Sequence, residues 1–172
     1  MATYDLAEGI AQAMVDYIAS AQTAKIAAVD ARFATVLGLR DFTVRLGPLY
    51  QRAEALDVYP LLYVWPQRIR IEPHNAGLGS AAEMFHTFNY VVVAHQPDAG
   101  GETPTETLAR ALMRYMTAIL EMVIESRNGT TRPWEWGTGD APEVQYQYMP
   151  AERTYFGVAG LRIGCQIGEA AT

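Results

Sequence analysis

Gly77-Leu78-Gly79-Ser80-Ala81-Ala82 has the loose G-x-G-x-x-A spacing that lets a backbone turn approach a pyrophosphate. Asp98 follows near the usual place of a ribose-binding acid. The setting favours a plain loop. Pro73-His74-Asn75-Ala76 separates the glycines from the preceding strand, and that strand is charged at alternate positions rather than apolar on both faces. After Asp98 the chain offers too few βα units to complete a nucleotide-binding sheet. Glu83-Met84-Phe85-His86 supplies a single E-x-x-H, whereas a di-iron bundle takes two such motifs and two further glutamates. His74, His86 and His95 lie 12 and 9 residues apart, without metal-motif spacing. No serine occupies a nucleophile elbow, and Cys165 lacks a local catalytic signature. The expectation is therefore no catalysis, no cofactor and no metal.

Trp134-Glu135-Trp136 is less easily absorbed. Two tryptophans in a Gly- and Pro-containing stretch either fold back over a sheet or engage another chain, where Trp is an enriched anchor.

Composition narrows the class. The chain has 172 residues, half of them hydrophobic and 19% charged, ordinary values for a globular domain with one sizeable core. A net charge of −6 argues against nonspecific duplex-DNA binding, whose affinity comes from Lys and Arg neutralising phosphates. Lys25 is the only lysine. The arginines suit fixed interface ion pairs, although coding bias produces the same usage. Cys165 has no partner for an intrachain disulfide, and its strand-like surroundings suggest a buried small hydrophobe. The first residues lack the basic and apolar regions of a secretory signal, and no apolar run approaches the roughly 20 residues that span a bilayer. A soluble protein made in a reducing compartment, with no membrane partner, is expected. Asn128-Gly129-Thr130 then reads as a helix stop rather than a glycosylation acceptor.

The elements that position these residues follow from periodicity. Thr3 or Asp5 can cap a first helix with Leu6, Ile10, Met14, Tyr17 and Ile18 on one stripe. Residues 23–38 stay helix-like, as a second helix or a prolongation of the first. Phe42-Thr43-Val44-Arg45-Leu46 reads as a short strand ended by Gly47-Pro48. Strands are expected at 60–65 and, by strict alternation, at 68–72, with a proline at each end of the former. Residues 73–86 read as a loop leading to a strand at 87–95. Thr103-Pro104-Thr105-Glu106 caps a long helix at about 104–127 whose stripe is Leu108, Leu112, Tyr115, Met116, Ile119, Leu120 and Val123. A loop at 128–142 precedes alternating strands at 143–149 and 153–168, a C-terminal β-hairpin. Tyr155, Ala159, Leu161, Ile163, Cys165 and Ile167 share one face of its second strand, and Arg162 and Gln166 the other. The sum is a single α+β domain, 1–172: a mostly antiparallel sheet with the N-terminal helix and the long helix packed on one face.

This order of elements resembles the tail terminator (tail completion) proteins of long-tailed bacteriophages. The similarity rests on the N-terminal helix, the proline-flanked Tyr59-Pro60-Leu61-Leu62-Tyr63-Val64, the strand Asn89-Tyr90-Val91-Val92-Val93, the long helix and the closing hairpin. Neck and tube proteins of the same virions share related folds.

The resemblance implies a structural virion protein at the neck or upper tail, assembled in the host cytoplasm. It implies a ring, expected to be a hexamer, that caps the tail tube and meets the head–neck connector while DNA passes without specific binding. Six chains of net charge −6 carry about −36 before local pairing, which repels a passing DNA backbone. Arg68, Arg70, Phe85, Trp134, Trp136 and Arg162 are the expected interface residues, and the stretches 73–86 and 128–142 the expected assembly loops. Other classes remain open: another head–tail joining protein, a host-type interaction module, or a small-ligand-binding domain or enzyme using the 73–86 loop.

Overall fold

A computed structural model of the chain describes residues 8–47, 58–73, 82–97, 104–125, 135–136, 143–151 and 154–167. The elements are α1 (Glu8–Asp30), β1 (Thr43–Leu46), β2 (Leu61–Pro73), β3 (Ala82–Pro97), α2 (Pro104–Glu125), β4 (Glu135–Trp136), β5 (Glu143–Ala151) and β6 (Thr154–Ile167). The protein is a small α+β fold in which two helices pack on a mixed sheet. β1 runs parallel to β2, with Val44 opposite Leu62, and β2 runs antiparallel to β3, with Val64 opposite Tyr90.

The helices follow their apolar stripes. Pro104 opens α2, where a missing N–H costs nothing because the first turn has no acceptor for it. Leu112, Ile119 and Met122 are completely buried on the inner side of α2. Met14, Ile18, Ile26 and Val29 form the corresponding stripe of α1. Both helices meet the sheet face that carries Leu62, Val64, Phe88, Tyr90, Val92 and Ala94. Burying each large apolar side chain contributes roughly 1.5–3 kcal/mol before entropy is charged. In this core the Tyr90 hydroxyl lies 3.1 Å from the Met14 sulfur. Leu61, Tyr63 and Val93, on the other face of the sheet, are buried as well. The unbroken apolar run Leu61-Leu62-Tyr63-Val64 is thus the pattern of a strand covered on both sides.

Several sequence expectations are corrected. The helix-like stretch 23–38 prolongs α1 only to Asp30, where the turn tightens: Arg32 N–H donates to Val29 O at 3.2 Å and Phe33 N–H to Asp30 O at 3.4 Å. Phe33 and Val36 consequently leave the helical stripe and are exposed. The strands expected at 60–65 and 68–72 are one strand, β2, with a register shift between Pro66 and Arg68. The irregularity accommodates Pro66, which lies beyond the end of the β1 pairing at Val64 and so interrupts no described ladder on that side. The loop expected over 73–86 is shorter, since 82–86 belong to β3 and pair with 69–73 of β2. Pairing across two strands outweighed the weak local β signal of Ala82-Glu83-Met84. Glu135 and Trp136, expected in a loop, form β4. The capping residues Thr3, Asp5 and Thr103, the helix stop Asn128-Gly129 and the residues Leu6, Gly77, Gly79, Asp98 and Trp134 lie outside the described residues.

Candidate functional site

Residues 31–42 join α1 to β1 as a strap anchored in the core by Phe42, and polar side chains of the two helices bind its backbone at several points. Asp30 accepts from Leu37 N–H at 3.1 Å, from Gly38 N–H at 2.8 Å and more distantly from Leu39 N–H at 3.4 Å. Gly38 sits at φ +66°, a left-handed conformation that glycine adopts without strain and that turns its N–H onto the carboxylate. Arg114 on α2 forms a buried ion pair with Asp30 and donates to Thr35 O at 2.8 Å. Its guanidinium also lies 4.2 Å from the centre of the Phe33 ring. The Tyr115 hydroxyl donates to Arg40 O at 3.0 Å and accepts from Arg40 N–H at 3.2 Å. Finally, Gln22 clasps Phe42, accepting from its N–H at 2.7 Å and donating to its carbonyl at 3.2 Å. The Phe42 and Tyr115 rings lie 4.7 Å apart.

Burial alone pushes the Asp30 carboxyl up, but the hydrogen bond from Arg114 and those from the backbone of Leu37, Gly38 and Leu39 outweigh it, so its pKa is lowered. Burial dominates at Tyr115, whose hydroxyl is pushed up to about 12. On the outer side, Arg32 grips Glu121 with two hydrogen bonds of 2.5 and 2.8 Å and Lys25 stands 3.7 Å away. The Arg32 hydrogen bond is the main reason that the Glu121 carboxyl is lowered.

The strap's exposed residues are mixed: Phe33 and Val36 lie among exposed Arg32, Thr35, Arg40 and Asp41. Phe33, Val36 and Met113 are 47%, 63% and 51% exposed. Phe33, Ala34, Thr35, Arg110, Met113 and Arg114 line an open concavity of about 330 Å³. Arg114 is committed to Asp30 and Thr35, and Arg110 on the rim pairs with Glu106 one turn earlier. The concavity has an apolar floor of Phe33, Ala34 and Met113, with Thr35, Arg110 and Arg114 beside it.

The expected interface residues are distributed elsewhere. Arg68 is exposed on β2 just past the irregularity. Arg70 and Phe85 are register partners on β2 and β3, so Phe85 is a strand position rather than a loop anchor. Trp136 lies in β4 and Arg162 in β6. Arg68 does not line the concavity. Sequence reasoning missed Phe33, Val36 and Met113. Met113 carried a usable signal, as a large apolar residue between Leu112 and Arg114 that does not belong to the inward stripe.

Among the described residues, no cluster of His, Cys, Asp and Glu is arranged to hold a metal, and no helix is long and apolar enough to cross a membrane. No protein-family model matches the chain, and no curated protein matches it in sequence. The described residues form an α+β protein in which Asp30, Arg114, Tyr115 and Gln22 hold the backbone of the segment between α1 and β1.

Proposed function

We propose that the chain is a structural virion protein, the tail terminator of a long-tailed phage. It forms a homo-oligomeric ring, six-membered by expectation, that caps the tail tube and joins it to the head–neck connector. It performs no catalysis. The order of helix, strands, long amphipathic helix and strands supports this reading. In it the sheet is mostly antiparallel and ends in a hairpin of β5 and β6. The register that sets Tyr90 opposite Leu161 and Tyr146 opposite Ala159 supports that arrangement.

The observation that carries the assembly role is the exposure of Phe33 and Val36 on the strap and of Met113 on α2, with the strap fixed in advance by Asp30, Arg114, Tyr115 and Gln22. A preorganised surface loses little conformational freedom on association, so more of its apolar burial is realised as affinity. The acidic balance of the chain suits a conduit that DNA crosses without adhering. Complementation tests the role. Phage lacking the protein should yield tails of irregular length that fail to join heads, and purified protein should restore both. Normal virions without the protein would refute the proposal.

A further inference from the structure

The sheet face turned away from both helices is buried at Leu61, Tyr63 and Val93 and opens at Trp65 and Asn89, register partners that are each half-buried. Register partners share a face of the sheet. Arg45 on β1 lies opposite Tyr63, and Arg68 on β2 lies opposite Thr87, so both arginines stand on this helix-free face, one to either side of Trp65. Both are exposed, and among the described residues neither meets a carboxylate. With the irregularity after Pro66 discounted, their rows are about four strand positions apart, roughly 13 Å. The surface is a pair of uncompensated cations with an indole between them.

Its complement lies on α1. Met14, Ile18 and Ile26 mark the side of that helix that meets the core. On the outer side Glu8, Gln12 and Asp16 are exposed at successive turns, and Asp16 accepts from Gln12 at 2.8 Å. Among the described residues neither carboxylate has a cationic partner, and the one cation of α1, Lys25, stands 3.7 Å from Glu121. Eight residues of helix set Glu8 and Asp16 about 12 Å apart. Free charges of opposite sign thus match in number and in spacing. α1 covers one face of the sheet and the arginines stand on the other, so the two surfaces meet only between different copies. We infer that the outer side of α1 packs on the helix-free sheet face of the adjacent copy, its two carboxylates at Arg45 and Arg68 and Gln12 over Trp65. A contact between two different patches is heterologous, and it closes into a ring when the rotation between copies allows. This inference rests on the ring reading and names its subunit contact. The indole is the apolar anchor, and the charges set encounter and register.

Charge exchange, read by sedimentation, tests the contact. One variant carries Glu8→Arg with Asp16→Arg, the other Arg45→Glu with Arg68→Glu. Each brings like charges together and should weaken self-association roughly tenfold or more. All four positions are exposed, so both variants should keep the melting temperature of the wild-type monomer. Mixed one to one, the two variants restore opposite charges at every contact and should recover most of the lost association, as coupled sites do and independent ones do not. Wild-type rings whose assembly neither variant weakens, or a mixture that associates no better than its components, would overturn this contact and leave the ring intact. A single-stranded oligonucleotide bound by the wild type and released by Arg45→Glu with Arg68→Glu would also overturn it, assigning the patch to nucleic acid. Wild-type protein that forms no oligomer at any concentration, alone or on purified tails, would remove the ring and this contact together.

Discussion

Arg114 on α2 and Asp30 at the last turn of α1 form a buried ion pair between positions 84 residues apart in sequence. The pair joins the two helices and also fixes the strap, because Asp30 takes three backbone N–H groups and Arg114 a carbonyl from it. Two charges removed from water are tolerated here because each has several partners.

Breaking that pair from either side should be costly, and unequally so. Asp30→Ala leaves Arg114 and the N–H groups of residues 37–39 without their acceptor, whereas Arg114→Ala leaves Asp30 its backbone donors. Removing one partner of a buried pair costs about 3–5 kcal/mol. Asp30→Ala should fall at the upper end of that range and Arg114→Ala lower. Urea unfolding of the two variants measures the difference.

The pH dependence should have two limbs. Asp30 and Glu121 have lowered pKa values in the folded state, so the stability they contribute is present above the ordinary carboxylate range and is lost as pH falls through their folded values. Glu121 is partly exposed and contributes the smaller share. Tyr115 is raised to about 12, so its contribution is present below the ordinary tyrosine value near 10 and is lost as pH rises toward 12. Thermal melting across pH should therefore show the midpoint dropping below about pH 4 and again above about pH 10. Tyr115→Phe should flatten the alkaline limb and Asp30→Asn the acid one.

Adjacent residues on α2 should respond oppositely to the same change. Leu112 is fully buried and Met113 is half exposed. Leu112→Asp, like Ile119→Asp, buries an unpaired carboxylate and should abolish soluble folded protein, while Met113→Asp should leave the melting temperature of the monomer nearly unchanged. Expression yield and melting curves check this. A folded Leu112→Asp protein would mean that α2 is not packed as described.

These contrasts also mark what the sequence made legible. The inward stripe of α2 and the start of the helix at Pro104 could be read, because helical spacing and first-turn proline chemistry are local. β1 and the apolar part of β2 were equally visible. The Asp30–Arg114 pair was not, since each residue alone looks like a surface charge and only the tertiary fold brings them together. Phe33 and Val36 were read with the helix because their spacing continues the α1 pattern. The turn after Asp30 depends on Asp30 and Arg114 holding the strap, which no local pattern encodes. Residues 82–86 looked like a loop for a related reason: their strand conformation comes from pairing with β2 rather than from their own propensities.

The tryptophans offer a test of docking separate from folding. Trp134→Ala with Trp136→Ala should leave a folded monomer, seen as an unchanged far-ultraviolet spectrum, yet abolish its attachment to purified tails. Tails of normal length that still join heads in the presence of this double variant would exclude residues 134–136 from docking.

Native mass spectrometry of the purified wild-type protein, alone and after incubation with purified tail tubes, addresses assembly most directly. A tail terminator should give a closed oligomer of one defined order, six by expectation, either free or recovered from the tubes. A protein that remains strictly monomeric under both conditions would contradict it.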